Sequence, residues 1–382
     1  MNRRITQFGT SRFLQAHADL FVHEARQAGQ DIGPITIVKT TRGGARDGRV
    51  RAFGAPGGYP VRIRGFDGGR RVDETRRITS VVRALEAHAD WIELIEIFSK
   101  STDIVFSNAG DGGYLLDPED AKRRPAAGDV PGSFPAKLLA LLVHRHERGG
   151  TPLLVLPCEL VSGNGRVLRG LLGDLADQWG ESAEFKGWLA RDVTICDTLV
   201  DRIVSEAIEP IGAVAEPYAL WAIQREPDLI EPFRHPNVVY TDDLEPYLRL
   251  KLHILNLGHT YIADIWRREA RPAQETVREI VADPRIRARL MSLFDDEILP
   301  GFAARGLGPQ AQAYRDATIE RFDNPFLDHR IADIFENQGV KVDRRAKAFV
   351  SWVRAAHATL PLPRLEAFSA AAHGPENSFQ AV

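Results

Sequence analysis

An α/β doubly wound domain followed by a mostly α-helical domain, with a boundary near residue 200, is the fold this sequence predicts. Three observations carry the prediction. The first half alternates short apolar runs with helical patterns, which implies parallel βαβ units. Beyond residue 201 long helical periodicities dominate and no strand-like run stands out. The length of 382 residues exceeds one ordinary hydrophobic core and suits two domains, 1–200 and 201–382.

In chain order, residues 4–8 read as a strand. Gly9 turns the chain into a helix through Phe13, Leu14, His17, Leu20 and Phe21, which ends near Gly29. Residues 35–39 are a β-branched strand, 43–58 a Gly- and Arg-rich loop, and 59–63 one arm of a hairpin. Val81, Val82, Leu85, Trp91, Leu94 and Ile95 give residues 78–99 helical spacing. A strand over 103–107 is followed by a Pro/Gly loop over 122–133 and a helix over 134–148, closed by Gly149 and Gly150. Residues 152–156 are wholly apolar, as parallel strands buried on both faces are. A helix over 167–179 and a short strand over 193–196 complete this half. Helices are expected over 247–268, 273–282, 284–294, 311–322 and 344–359, and the last ten residues read as a frayed tail.

Composition excludes several classes of function. The 49 Lys+Arg against 52 Asp+Glu leave a net charge of −3, which offers no electrostatic footprint for nucleic acid or an anionic membrane. With 44% hydrophobic and 26% charged residues the chain is an ordinary globular protein. Two cysteines, Cys158 and Cys196, make no disulfide framework and read as packing residues in a reducing compartment. No signal-like apolar region opens the sequence, and no apolar run approaches the ~18 residues of a membrane span. A cytoplasmic chain, monomer or small homo-oligomer, with a small-molecule substrate is expected. His144, His146 and Glu147, like the pair His253 and His259, lack zinc-ligand spacing, so no metal is expected.

Two segments suggest chemistry. The first is Phe8-Gly9-Thr10-Ser11-Arg12-Phe13, at the first strand-to-helix turn, where backbone N–H groups can receive a pyrophosphate. Only Gly9 of a G-x-G-x-x-G pattern is present, so an ordinary βα turn remains open. At the end of the second strand, Lys39 and Arg42 stand where a ribose-binding acid is expected for NAD(H). They suit a 2′-phosphate or a solvated loop, which leaves NAD or NADP open. The second segment is the apolar helix around Lys251. At ~100° per residue, Asn256 lies ~140° and His259 ~80° from Lys251, on one broad face. A desolvated Lys acts as a general base, and Asn and His donate to an alkoxide oxygen. Gly258 leaves room for a ligand or a neighbouring backbone. The alternative is a snorkelling Lys with a hydrogen-bonded core Asn and His.

The strings FGTSRFLQAHAD (8–19), SNAGDGG (107–113), LPCEL (156–160), VDRI (200–203), EPYALW (216–221), KLHILNLGHT (251–260) and RFDNPFLDH (321–329) resemble, in order, those of the mannitol dehydrogenase family of long-chain polyol dehydrogenases. LPCEL and NPFLDH look most like its tagaturonate and fructuronate reductases. The resemblance implies a Rossmann-type domain, a helical catalytic domain, NAD(H) or NADP(H), and no metal. It implies Lys251 as the general base, with Asn256 and His259 holding the reacting oxygen. Phe8 to Phe13, Ser107 and Asn108 would serve the cofactor, and Asp201, Arg202 and Lys341 the substrate; the charge pattern itself adds Lys39 on the cofactor side and Arg344 on the substrate side. Ser11 replaces a loop glycine, Leu160 stands where neutral-polyol oxidisers have Asn, and Leu248 where they have an acid. Lys341, one of eight lysines, begins a cationic run with Arg344 and Arg345 suited to an anionic substrate. The expected activity is reversible oxidation of a secondary alcohol on an acyclic sugar acid or polyol, of the tagaturonate reductase (altronate oxidoreductase) kind. The alternatives are a neutral or phosphorylated polyol dehydrogenase and a silent nucleotide-binding sensor.

Overall fold

The computed structural model describes residues 3–42, 47–110, 112–126 and 128–371. The tail expected to fray and part of the predicted 43–58 loop lie outside them. Strand β1 (Arg3–Phe8) leads through α1 (Arg12–Ala16) and α2 (Ala18–Gln27) to β2 (Ile32–Lys39). Helix α3 (Asp47–Phe53) precedes β3 (Tyr59–Asp67), β4 (Arg70–Ile78) and β5 (Val81–Glu86), then α4 (Trp91–Ser101) and β6 (Ile104–Ser107). Helices α5 (Pro118–Lys122) and α6 (Phe134–Glu147) lead to β7 (Leu153–Pro157). Helices α7 (Asn164–Gln178) and α8 (Ala183–Asp192) lead to β8 (Val193–Ile195).

These strands form a six-stranded sheet in the order β5-β2-β1-β6-β7-β8. Every pairing in it is parallel. Residues of β6 and β7 are buried throughout, which is why, Ser107 apart, both runs are apolar without alternation. Helix α6 is buried over most of its length, and so it is apolar nearly all round. Arg145 closes it: the buried guanidinium donates to the carbonyls of Phe98, Thr151 and Pro152 at 2.6, 2.8 and 3.0 Å. Those bonds satisfy carbonyls that the helix end and the following turn leave without partners.

Five further strands follow. These are β9 (Thr198–Asp201), β10 (Val204–Ala207), β11 (Ala213–Ala215), β12 (Leu220–Gln224) and β13 (Val238–Thr241). They build a sheet β10-β11-β3-β4 and a sheet β13-β12-β9. The absence of strands expected beyond residue 201 is therefore corrected. Strands of three to five residues carry too few alternations to register as a period. Residues 201–244 group with the N-terminal unit apart from Glu216–Tyr218, and the last segment of that unit ends at Leu244. The reading of 78–99 as one helix is corrected too. Val81 and Leu85 match helical spacing by coincidence, and pairing with β2 makes Val81–Glu86 a strand. The Gly/Arg-rich loop contains α3, and the 59–63 arm extends to Asp67.

The second unit comprises Arg64–Asp73, Glu216–Tyr218 and the chain from Glu245 onward. Its helices enclose a core that includes Ile254, Leu257, Ile280, Leu290, Phe294, Phe302 and Phe349. Helices α9 (Glu245–Leu250) and α10 (Leu257–Arg268) are joined without a loop by a π-helical segment, Lys251–Asn256.

Candidate active site

The chain order of the parallel sheet reverses between β1 and β6, and ligands of open α/β sheets bind outside the strand ends at such a point. There Gly9 adopts φ +120° and donates its N–H to the Val38 carbonyl at 3.0 Å. A Cβ at Gly9 would stand 2.5 Å from the Asn108 carbonyl oxygen, so only glycine fits. Ser11, in the place of a loop glycine, caps α1 by accepting the Leu14 N–H at 3.2 Å. The first N–H groups of that helix have no acceptor within it. Phe8 is fully buried against Phe98 and Phe134, so its ring is core and only its backbone shapes the turn. The Thr10 carbonyl accepts from Gln15 and Arg49, Arg12 is exposed, and Phe13 stacks on His17 with centroids 4.7 Å apart.

The helix expected to run to Gly29 breaks at His17, whose ψ is −88°. Its ring packs among Phe13, Phe21 and Trp221, and that packing outweighs helical continuity. Arg202 donates to the Ala16 carbonyl at 2.6 Å and thereby satisfies a group beside the break. Asp201 is buried in β9 opposite Leu220. Both residues of the VDRI string thus sit within the N-terminal unit.

Ser107 is buried and donates to Glu159 at 2.9 Å, while Asn108 donates to the Cys158 carbonyl at 2.8 Å. Glu159, which the sequence reading left unassigned, also accepts from the Ala109 N–H at 3.0 Å and from the Tyr114 hydroxyl at 3.3 Å. Burial raises its pKa, and those donors oppose the rise. One carboxyl therefore fixes the segment at the end of β6. The signal was the lone acid in the otherwise apolar LPCEL string. Cys158 and Cys196 are buried, with thiol pKa values raised by burial, that of Cys196 to about 12. Lys39 ends β2, is buried, and lies 3.4 Å from Glu86 at the end of the neighbouring strand.

In the helical unit the π segment changes the geometry expected around Lys251. The Leu257 N–H reaches the Leu252 carbonyl five residues back. Closing the ring over five residues moves the residue at i+5 to where i+4 stands in an α-helix. Asn256 then lies about 40° from Lys251 instead of ~140°, and His259 within about 60° of Asn256. Lys251, Asn256 and His259 thus come onto one narrow face. Lys251 and Asn256 are half-buried, and His259 is buried against the Phe322 ring, 4.5 Å away.

Arg345 locks this segment. It donates to the Asn256 carbonyl at 3.0 Å and to the Thr260 hydroxyl at 2.7 Å. Its own carbonyl lies 2.8 Å from His253 Nδ1. Burial, with Arg344 nearby, lowers the Arg345 pKa to about 10. Burial likewise lowers that of His253 to about 4, so this histidine is a neutral core residue. Arg345 lies in a second π segment, Asp343–Lys347, whereas Arg344 is exposed. Lys341 donates to the Ile334 carbonyl at 2.7 Å, and burial together with Arg345 lowers its pKa. Gly258 makes room for aromatic rings and not for a ligand. A Cβ there would meet Phe294 at 3.0 Å and Phe322 at 3.3 Å.

Two other strings meet in this unit. Glu216 and Arg321 form a buried pair at 2.8 Å, with Arg321 over the Tyr218 ring. Asn324 donates to the Arg64 carbonyl, and Arg64 lies 3.8 Å over Phe326. Among the described residues no group of three or more His, Cys, Asp or Glu is placed to hold a metal ion, and no helix is long and apolar enough to cross a membrane.

Comparison with known proteins agrees with this architecture. Residues 3–231 match the mannitol dehydrogenase Rossmann domain, and residues 243–365 the mannitol dehydrogenase C-terminal domain. Altronate oxidoreductase from Halalkalibacterium halodurans is 32% identical over 355 residues, covering 87% of this chain and 67% of its own. Its counterpart from Cronobacter sakazakii is 31% identical, covering 95% and 77%. Among solved structures, a substrate-free D-sorbitol dehydrogenase superposes with a TM-score of 0.79 at 19% identity, covering 97% of this chain and 80% of that one. Mannitol 2-dehydrogenase from Pseudomonas fluorescens, in ternary complex with NAD and D-mannitol, gives 0.71 at 20%, covering 98% and 85%. With both domain models matched in order over most of its length, the chain belongs to the mannitol dehydrogenase family and is a dehydrogenase.

Proposed function

We propose that this dehydrogenase interconverts a secondary alcohol and a ketone on an acyclic sugar acid of the altronate–tagaturonate kind, with NAD(H) as the redox partner. The observation that supports the reading is the π-helical segment Lys251–Asn256, whose wider turn argues for Lys251, Asn256 and His259 on a single face. When bound, NAD(H) supplies the two-electron acceptor or donor. The turn from Gly9 to Phe13 and the segment Ser107–Asn108 would hold it, and the N–H groups opening α1 fit a pyrophosphate. The names of the altronate oxidoreductase relatives and the NAD of the mannitol 2-dehydrogenase complex support the substrate class and the cofactor. Lys39 already has Glu86 as its partner, which favours NAD(H) over a 2′-phosphorylated cofactor.

In the oxidative direction Lys251 accepts the hydroxyl proton, and the oxygen left behind is held by donors from Asn256 and His259. General-base catalysis of this kind contributes ~10²–10⁴-fold, and each oxyanion donor ~10²–10³-fold. Leu160, 77% exposed, offers no polar group where neutral-polyol oxidisers have an amide. Asp201, Arg202, Lys341 and the exposed Arg344 remain the proposed substrate-side residues. The reading includes a cytoplasmic protein that acts as a monomer or small homo-oligomer. The test is a steady-state panel with purified protein and NAD⁺ or NADP⁺. A higher kcat/KM for altronate than for mannitol or arabinitol, with NAD⁺ preferred, is the expected result. A neutral polyol as the better substrate overturns the sugar-acid reading.

A further inference from the structure

His329 ends the NPFLDH string, and its backbone is pinned on both sides. Its carbonyl accepts the Val277 N–H at 2.9 Å, and the adjacent Arg330 forms an antiparallel bridge with Thr276. Upstream, Asn324 accepts the Phe326 N–H at 3.0 Å and fixes the start of the segment. The His329 ring lies edge-on to His259, with centroids 5.4 Å apart and planes at 73°. His329 Nδ1 is buried, yet it has no hydrogen-bond partner among the described residues. Buried ring nitrogens in folded proteins normally have one. His253 in the same unit shows the ordinary case, with Nδ1 bonded to the Arg345 carbonyl.

Burial and the charge of Lys341 keep His329 neutral, with Asp333 opposing them. A neutral imidazole offers one donor and one acceptor, and the donor suits a carboxylate oxygen, which a neutral polyol lacks.

We propose that His329 is a specificity-determining residue that, beside His259 and Lys341, hydrogen-bonds an oxygen of the sugar-acid chain away from the reacting carbon. The proposal rests on the reading of Lys251, Asn256 and His259 given above. It adds a contact to the substrate chain and takes no part in proton transfer. A site that bonds a substrate oxygen discriminates strongly when that bond is lost.

The test compares wild type, His329→Phe and His329→Gln with altronate and with mannitol, alongside NADH fluorescence titration. His329→Phe raises the KM for altronate by at least ~10-fold, with kcat within ~3-fold and NADH affinity unchanged. His329→Gln, which keeps a donor and an acceptor, recovers part of the loss and serves alone should the Phe variant not fold. Its KM is then expected above that of wild type for altronate, with the KM for mannitol unaltered. Wild-type KM values in either soluble variant, or an equal loss of kcat on both substrates, overturn the His329 assignment alone. A wild type that turns over no hexonate overturns the sugar-acid reading instead, and this proposal with it.

Discussion

Lys251, the proposed general base, and Arg345, which holds the Asn256 carbonyl, bear on the same helical segment in different ways. Lys251→Ala is expected to lower alcohol oxidation by at least ~10²-fold while NADH titration gives an unchanged dissociation constant. A base must be deprotonated to work, so oxidation that depends on Lys251 rises with pH. The Ala variant loses that rising limb, and a pH–rate profile checks it. Retained turnover with an unaltered profile would exclude Lys251 as the base. Arg345 touches the backbone behind the site: its guanidinium holds the Asn256 carbonyl and the Thr260 hydroxyl. Arg345→Met is expected to cost ~10–10²-fold in kcat for every substrate, since small misplacements of reacting groups carry penalties of that order. Lys at that position recovers part of it by keeping one donor. Equal kcat in the Met variant would reduce Arg345 to a packing residue.

The glycine turn and the π segment each depend on one feature of local geometry. At Gly9 the φ of +120° and the 2.5 Å approach of a Cβ to the Asn108 oxygen leave no room for a side chain. Gly9→Ala is expected to destabilise the N-terminal unit by ~1–3 kcal/mol and to weaken NADH binding. Thermal melting and fluorescence titration measure the two effects separately. A variant that melts and binds as wild type does would contradict the strained turn. In the π segment, α-helical spacing alone would spread Lys251, Asn256 and His259 over one broad face. The extra residue per turn corrects the angles, and that widening is held from outside by Arg345.

For the molecule as a whole, two buried polar pairs set measurable stability terms. Glu216 and Arg321 are only 2% and 3% exposed, so removing one of them takes an ion-pair partner from a buried charge. Arg321→Met is expected to destabilise the helical unit by about 3–5 kcal/mol. Urea denaturation followed by tryptophan fluorescence reads the change, and a midpoint equal to that of wild type would refute it. Asp19 is fully buried, accepts the Tyr59 hydroxyl at 2.5 Å, and has its pKa raised from 3.8 to about 7 by burial. Between those values the folded state binds more protons than the unfolded one, so wild-type stability falls as pH rises from about 4 to about 7. Asp19→Asn cannot ionise and escapes that loss. The melting temperature of the variant relative to wild type is expected to climb between pH 5 and pH 8; a constant difference would show that Asp19 does not titrate there.

Repetition of apolar strands and helical patterns was enough to determine the doubly wound half and the helical half, because buried parallel strands and amphipathic helices each force their own period on the sequence. Lys251, Asn256 and His259 became candidates for a similar reason, since polar residues in an apolar helix stand out. The strands β9–β13 were not legible, because three to five residues impose no period and their pairing partners are distant in sequence. The same holds for the helix break at His17, which three aromatic rings decide, and for the strand at Val81–Glu86, which β2 decides. Lys39 shows the limit for single residues: in the sequence it suits a 2′-phosphate or a solvated loop, and in the fold its neighbour across the sheet is Glu86. Local periodicity is written along the chain, but the partner of a charge, the width of a helical turn and the end of a domain depend on residues far away in sequence, so only the tertiary structure decides them.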